Sequence, residues 1–252
     1  MNAHPAEELL RQTEQLCRAV ARLSFSDPVA MVYNPLQYAA AGYRAYVERF
    51  ARNPKRVLFV GMNPGPWGMA QTGVPFGEVG AVRDWMGIRA TIDVPPLQHS
   101  RRPIEGLACR RSEVSGRRLW GLMQQRFGRA DQFFCDQFVA NYCPLLFMEQ
   151  SGRNRTPEKL TRDERDPLFD ACDEYLDGTM RLLQPRFVVG VGVFARARVD
   201  AVLQRRAQTG SAADVPQTLT ILHPSPANPR ANHDWNTEVS AVLEAAGAWP
   251  RA

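Results

Sequence analysis

Three polar residues, Asn63, Asn141 and His223, each follow a short run of largely apolar residues, and together they have the chemistry to hold a flat polar ligand. An amide side chain donates and accepts, so it can read the edge of a planar ring through two hydrogen bonds. An imidazole can donate to an oxygen on which negative charge builds. Asn63 lies in Gly61-Met62-Asn63-Pro64-Gly65-Pro66-Trp67-Gly68-Met69-Ala70-Gln71-Thr72-Gly73-Val74-Pro75-Phe76-Gly77-Glu78. Glycine permits close backbone approach and proline fixes the path, so Asn63 and Phe76 are presented with little freedom. The Phe76 ring has the shape to stack on a flat ligand. Each residue also has a plainer reading: an asparagine can satisfy backbone groups at a strand end, an aromatic can belong to the core, and His-Pro can be a turn. Taken one at a time, the residues leave these alternatives open.

Four strands are expected to position them. Val57 to Val60 is apolar throughout, as in strands buried on both faces of a parallel sheet. Gln137 to Asn141, Phe187 to Val191 and Leu219 to Leu222 read as three more. Between and around them the spacing predicts helices over Glu7–Leu23, Tyr38–Ala51, Glu78–Met86, Ser115–Phe127, Phe194–Gln208 and Asn232–Ala246. A long helical region is expected from Thr156-Pro157, with Thr as N-cap and Pro at the first position, to about Leu183. Gly87 to Val114 is rich in breakers and reads as a surface loop. Its basic pairs, Arg101-Arg102 and Arg110-Arg111, have the charge to touch phosphate, although a solvated face is the simpler reading. Strands alternating with helices mean an α/β fold, a central four-stranded parallel sheet flanked by helices. Ligands of such sheets sit at the carboxyl ends of the strands, where Asn63, Asn141 and His223 would converge.

The 252 residues suit one domain, 1–252, with a helical extension over 1–30 and functional loops at 61–78 and 223–232. A hydrophobic fraction of 44% and a charged fraction of 23% are those of a globular chain, and a net charge of +5 leans modestly toward an anionic partner. Cysteines at 17, 109, 135, 143 and 172 form no Cys-x-x-Cys pair and match no zinc or iron–sulfur spacing, so buried free thiols are expected, with no metal and no cofactor. Residues 1–23 do not read as a signal peptide, and no run reaches the roughly 18 apolar residues of a membrane span.

Met62-Asn63-Pro64-Gly65-Pro66 and His223-Pro224-Ser225-Pro226 resemble the two signature motifs of the single-strand-selective monofunctional uracil-DNA glycosylases, within the uracil-DNA glycosylase superfamily. The resemblance continues through Asn141-Tyr142-Cys143-Pro144-Leu145, Ser151-Gly152-Arg153-Asn154 and Val188-Val189-Gly190-Val191-Gly192, and covers roughly residues 30 to 247. It implies excision of uracil, or of 5-substituted relatives such as 5-hydroxymethyluracil, from single- or double-stranded DNA in base excision repair. It also implies a monomer that touches no membrane and works in the bacterial cytoplasm at the nucleoid, or in a eukaryotic nucleus.

Asn141 would then accept from uracil N3–H and donate to O4, an edge that cytosine does not offer. Phe76 would stack on the base, while Met62 and Gly65 border it through their backbones and Met69 shapes the space around C5. His223 would stabilise the anionic leaving group at O2, and Asn63 would hold the attacking water. Related families carry aspartate at that loop position, so the neutral amide implies positioning rather than proton abstraction. Ser151, Gly152, Arg153, Asn154 and Arg155 resemble a DNA-contacting segment, with two arginines for phosphates. Ser225, Pro226, Ala227, Asn228, Pro229 and Arg230 would wedge the gap left by a flipped base. Here the chain departs from the better-known animal members, which carry an arginine where this one has Ala227; Arg230 is the candidate substitute. Lysine occurs only at Lys55 and Lys159, outside the motifs, which argues against a Schiff-base lyase step. The competing readings are a mismatch-specific uracil/thymine glycosylase, disfavoured by Gly68 to Phe76, and a non-catalytic binder of damaged or single-stranded DNA.

Overall fold

The computed structural model describes residues 4–208 and 215–251. In chain order its elements are α1 (Pro5–Val20), β1 (Val29–Tyr33), α2 (Pro35–Tyr38), α3 (Ala40–Phe50), β2 (Val57–Gly61), α4 (Met69–Thr72), α5 (Val114–Phe127) and α6 (Ala130–Phe134). There follow β3 (Gln137–Asn141), β4 (Leu146–Glu149), β5 (Asn154–Arg155), α7 (Arg162–Leu183), β6 (Phe187–Val191), α8 (Val193–Gln208), β7 (Gln217–Ile221) and α9 (Trp235–Ala245).

The four expected strands form one parallel sheet in the order β3-β2-β6-β7. Val57–Gly61 and Phe187–Val191 are buried along their whole length, which is why they read as unbroken apolar runs. β7 lies at the edge, and its Thr218 and Thr220 are half-buried. From β2 the chain steps outward to β3, then crosses to the other side of β2 to lay down β6 and β7. Strand order therefore reverses between β2 and β6, the position at which open α/β sheets form a ligand crevice.

The local reading needs several corrections. A second, antiparallel sheet, β1-β4-β5, was not anticipated, because two of its strands span only four and two residues and β1 pairs with β4 more than 100 residues away. Thr156-Pro157 opens only a 3₁₀ turn, Pro157–Lys159; the long helix begins at Arg162 under a capping box between Thr161 and Glu164. The 38–51 helix is broken at Ala39 into α2 and α3, and Glu78–Met86 contracts to a π-type turn closed by Met86 N–H donating to Ala81 O (2.9 Å). α9 starts at Trp235 rather than Asn232, with Asp234 as its N-cap. Residues 1–3 of the expected N-terminal extension lie outside the described residues; α1 packs on α3 and α7, with Thr13 Oγ1 3.2 Å from Tyr175 Oη. Of the five thiols expected to be buried, Cys135 is exposed.

Behind the carboxyl end of β3 lies a buried ionic knot. Asp173, 1% exposed, accepts from Tyr142 Oη (2.7 Å), from Arg198 (2.5 Å) and from Arg205 (3.0 Å). Arg198 Nε donates to Tyr142 Oη (3.1 Å), and the guanidinium stands 4.6 Å from the Phe169 ring centre. The knot thus ties the residue after Asn141 to α7 and α8. Removing one member of a buried pair strands the other charge, typically at ~3–5 kcal/mol. Asp173→Ala should lower unfolding stability in urea by about that amount; a loss under about 1 kcal/mol would show that Arg198 is easily resolvated.

Candidate active site

β2 and β3 run in register so that Gly61 stands opposite Asn141. A Cβ built on Gly61 would lie 2.4 Å from Asn141 Oδ1 and 2.5 Å from Phe76 Cε2, so only glycine lets the amide and the ring approach each other here. The pairing persists past the strands: Tyr142 N–H donates to Gly61 O (2.9 Å) and Cys143 N–H to Met62 O (2.8 Å). Met62 is thereby held at the rim through its backbone.

Asn141 Nδ2 donates to the thioether of Met69 (3.2 Å), a weak acceptor, while Oδ1 is buried with no hydrogen-bond partner. An orphaned buried acceptor typically costs ~1–3 kcal/mol, so this oxygen marks a place prepared for a donor. Phe76, 8% exposed, has φ 52°, a left-handed backbone rare for a bulky residue. Its carbonyl is held by Trp120 Nε1 (2.9 Å) and by Glu78 N–H (2.7 Å). The ring centre lies 6.3 Å from that of His223. Amide, ring and imidazole therefore border one space.

Beyond β6, Gly192 takes φ 93°, where a Cβ would stand 3.2 Å from His223 Cβ. His223 follows β7 by two residues, and its Nδ1 accepts from Ser225 N–H (3.1 Å). Burial holds its pKa below the ordinary value, so the ring is neutral and its one proton sits on Nε2, as a donor. Asn63 Nδ2 donates to Leu145 O (3.1 Å), which leaves Oδ1 to accept from a water molecule. The three polar residues thus occupy the carboxyl edge of one sheet, with Asn63 and His223 oriented by neighbouring backbone and Asn141 by the Met69 thioether.

The outlying residues divide. Asn154 Nδ2 reaches Pro64 O (3.4 Å), so this residue braces the Asn63 loop. Gly152, at φ 79°, makes the β4–β5 turn with Glu149 O (2.7 Å), exposing Ser151 and Arg153. Arg155, expected on phosphate, instead pairs with Glu149 (3.1 Å) and donates to Lys159 O (2.5 Å). In the other loop Ser225 Oγ accepts from Ala227 N–H (3.2 Å), and Asn228 Oδ1 caps the Pro229–Asn232 turn. Pro226 O accepts from Asn232, and Arg118 donates to Pro224 O (3.1 Å) and Asn232 Oδ1 (2.8 Å). Ala227 is exposed, and Arg230 pairs with Glu238 (3.0 Å), a surface contact weak enough to exchange. The 223–232 loop is therefore braced by its own backbone groups and by α5, not by a long side chain at its tip.

Glu113 escaped the sequence reading. Its carboxyl lies beneath the Asn63 loop, where a Cβ on Gly65 would meet Oε1 at 1.6 Å and one on Gly68 would meet Oε2 at 2.1 Å. Two glycines three apart were the only sign of a group packed from below. Burial first, and then the charge of Glu78, push this carboxyl up to about 7. The folded protein accordingly holds the proton where the unfolded chain, titrating near 4.5, has lost it. This contribution to stability is full in acid and is lost as pH rises through about 7. Glu113→Gln should gain melting temperature relative to wild type between about pH 5 and pH 8, and a difference that stays flat with pH would assign the proton elsewhere.

The model of the uracil DNA glycosylase superfamily matches residues 49–245. The chain is 46% identical over 245 residues to the single-strand selective monofunctional uracil-DNA glycosylase of Rattus norvegicus, covering 97% of this chain and 86% of that one. It is 45% identical to the corresponding proteins of Mus musculus and Bos taurus, again over 97% of this chain and over 86% and 88% of theirs. Among solved structures, that of wild-type Pedobacter heparinus SMUG2 superposes with a TM-score of 0.68 over 98% of this chain and all of that one; at 15% identity it speaks for the fold alone. With its Asn63, Asn141 and His223 gathered at one sheet edge, the chain belongs to the single-strand-selective monofunctional uracil-DNA glycosylase family of the uracil DNA glycosylase superfamily.

Proposed function

We propose that this protein flips uracil out of DNA and hydrolyses its N-glycosidic bond, the opening step of base excision repair at the nucleoid or in the nucleus. 5-Substituted uracils such as 5-hydroxymethyluracil are further candidate substrates. The observation that carries the reading is the buried, unpartnered Oδ1 of Asn141 beside the Phe76 ring. Uracil N3–H supplies the missing donor, and its O4 offers Nδ2 a better acceptor than the Met69 sulfur. Cytosine carries no proton at N3 and would bring a lone pair against Oδ1.

As the bond breaks, charge builds on uracil O2 and Nε2–H of His223 donates to it. The imidazole has one proton and Ser225 N–H, a pure donor, on its other nitrogen. Passing that proton on would leave an imidazolate, so His223 stabilises the leaving anion by a hydrogen bond without protonating it. Asn63 Oδ1 orients the water that meets the sugar cation. Lys55 sits at the amino end of β2, at the far edge of the sheet, where it donates to Phe134 O (2.6 Å); it is out of reach of the sugar.

Alkali treatment after incubation with uracil oligonucleotides, single-stranded and duplex, tests the whole reading. Cleavage at uracil should appear only with alkali; no cleavage means a binder, and cleavage without alkali means a lyase. His223→Ala should slow single-turnover excision by about 10² to 10³ with little change in DNA affinity, and a rate within about threefold of wild type would remove His223 from the chemistry.

Strand preference follows from the loop tip. Ala227 at the exposed loop tip has no long side chain to fill the gap in a duplex, and Arg230 must first leave Glu238 to do so. Single strands have no partner stack to replace, so they are the favoured substrate, with U·G ahead of U·A. Ala227→Arg should raise duplex activity relative to single-strand activity. Wild-type rates on U·A equal to those on single strands would dismiss the argument.

A further inference from the structure

Residues 87–113 carry arginines that the chemistry above does not use, and the segment is firmly held. Tyr33 Oη donates to Arg102 O (2.9 Å) and accepts from His99 N–H (2.6 Å). Gln71, wholly buried, donates to Pro66 O and Pro103 O (2.9 Å each) and accepts from Glu105 N–H (2.8 Å) and Gly106 N–H (3.1 Å). One amide thus fastens the arginine segment to the Asn63 loop. Trp67 of that loop has the guanidinium carbon of Arg111 4.4 Å from its ring centre and that of Arg102 at 5.3 Å. Arg102 Nε is buried without a hydrogen-bond partner. Neighbouring Arg101 donates to Ser151 O (3.1 Å), which carries the basic strip on to exposed Arg153.

Among the described residues Arg101, Arg102, Arg111 and Arg153 have no carboxylate partner, in contrast to Arg155 on Glu149 and Arg230 on Glu238. Gathering like charges without counter-ions is unfavourable, and the ring attracts them only by roughly 0.5–2 kcal/mol each. The strip adjoins the Asn63 loop through Trp67 and Gln71.

We propose that Arg102 and Arg111, set in place by Trp67, bind backbone phosphates of the DNA strand flanking the flipped nucleotide. Trp67 is a positioning residue: it holds the two forks at fixed spacing, and the guanidiniums touch the strand. The proposal rests on the uracil-DNA reading, but its test does not require uracil.

The probe is a labelled, uracil-free oligothymidylate, titrated by fluorescence anisotropy over a salt series. Each phosphate contact on a single strand contributes about 0.7 to the slope of log affinity against log salt concentration. Arg102→Gln/Arg111→Gln should bind more weakly and lose about 1.4 of that slope, whereas Arg102→Lys/Arg111→Lys, with both charges kept, should retain it. Trp67→Ala should weaken binding while retaining most of the slope. A double Gln variant with the wild-type melting temperature and the wild-type slope overturns the proposal. A double Lys variant that loses the slope as the Gln variant does overturns it too, since the arginines would then act only within the fold. Wild-type protein that binds oligothymidylate with the expected slope yet excises no uracil would instead sink the glycosylase reading and leave this one standing.

Discussion

The site depends on a missing side chain. Gly61 lies opposite Asn141 in the β2–β3 register, and any Cβ there would overlap both the Asn141 amide and the Phe76 ring. The sheet supplies rigidity and the glycine supplies room, so an amide edge and an aromatic face can border the same slot. β2 and β6 are buried along their whole length, and a slip of one residue between β2 and β3 would take Gly61 away from Asn141.

Polar groups are treated in two ways. In the scaffold they are fully used: Gln71 engages four backbone groups, and Asp173 gathers one hydroxyl and two guanidiniums. At the strand ends they are deliberately incomplete. Asn141 Oδ1 has no partner, and Nε2 of His223 carries the one proton that its neighbours leave unclaimed. Buried networks of the first kind give the second kind its fixed geometry, because an amide held on one side cannot turn away to satisfy itself.

The sheet and the three polar residues were legible because β2 and β6 are apolar runs, β3 and β7 carry apolar residues at their centres, and Gly61, Asn141, Gly192 and His223 stand at or just past the four strand ends. The strands β1, β4 and β5 were not: β4 and β5 span only four and two residues, and β1 finds its partner more than 100 residues along the chain. Thr156-Pro157 misled because it has the local form of a helix start, while the capping box that sets the true start is Thr161 with Glu164. Glu113 and Trp120 were invisible for another reason. Their roles are contacts across 40 or more residues of chain, with Gly65 and Gly68 in one case and the Phe76 carbonyl in the other, and no periodicity encodes such a partner. Arg155 shows the converse: residue type and motif suggested phosphate, and a neighbouring carboxylate one strand away took it first.

Phe76 sits in a backbone region that favours glycine, asparagine and aspartate, none of which has a ring. Its conformation persists because the Trp120 indole, from the middle of α5, grips its carbonyl. Positions 76 and 120 are therefore one structural unit. A chain that lost the indole would feel it first in the tilt of a ring 44 positions away, and a loop transplanted into another scaffold without that donor would keep its sequence and lose its stacking face.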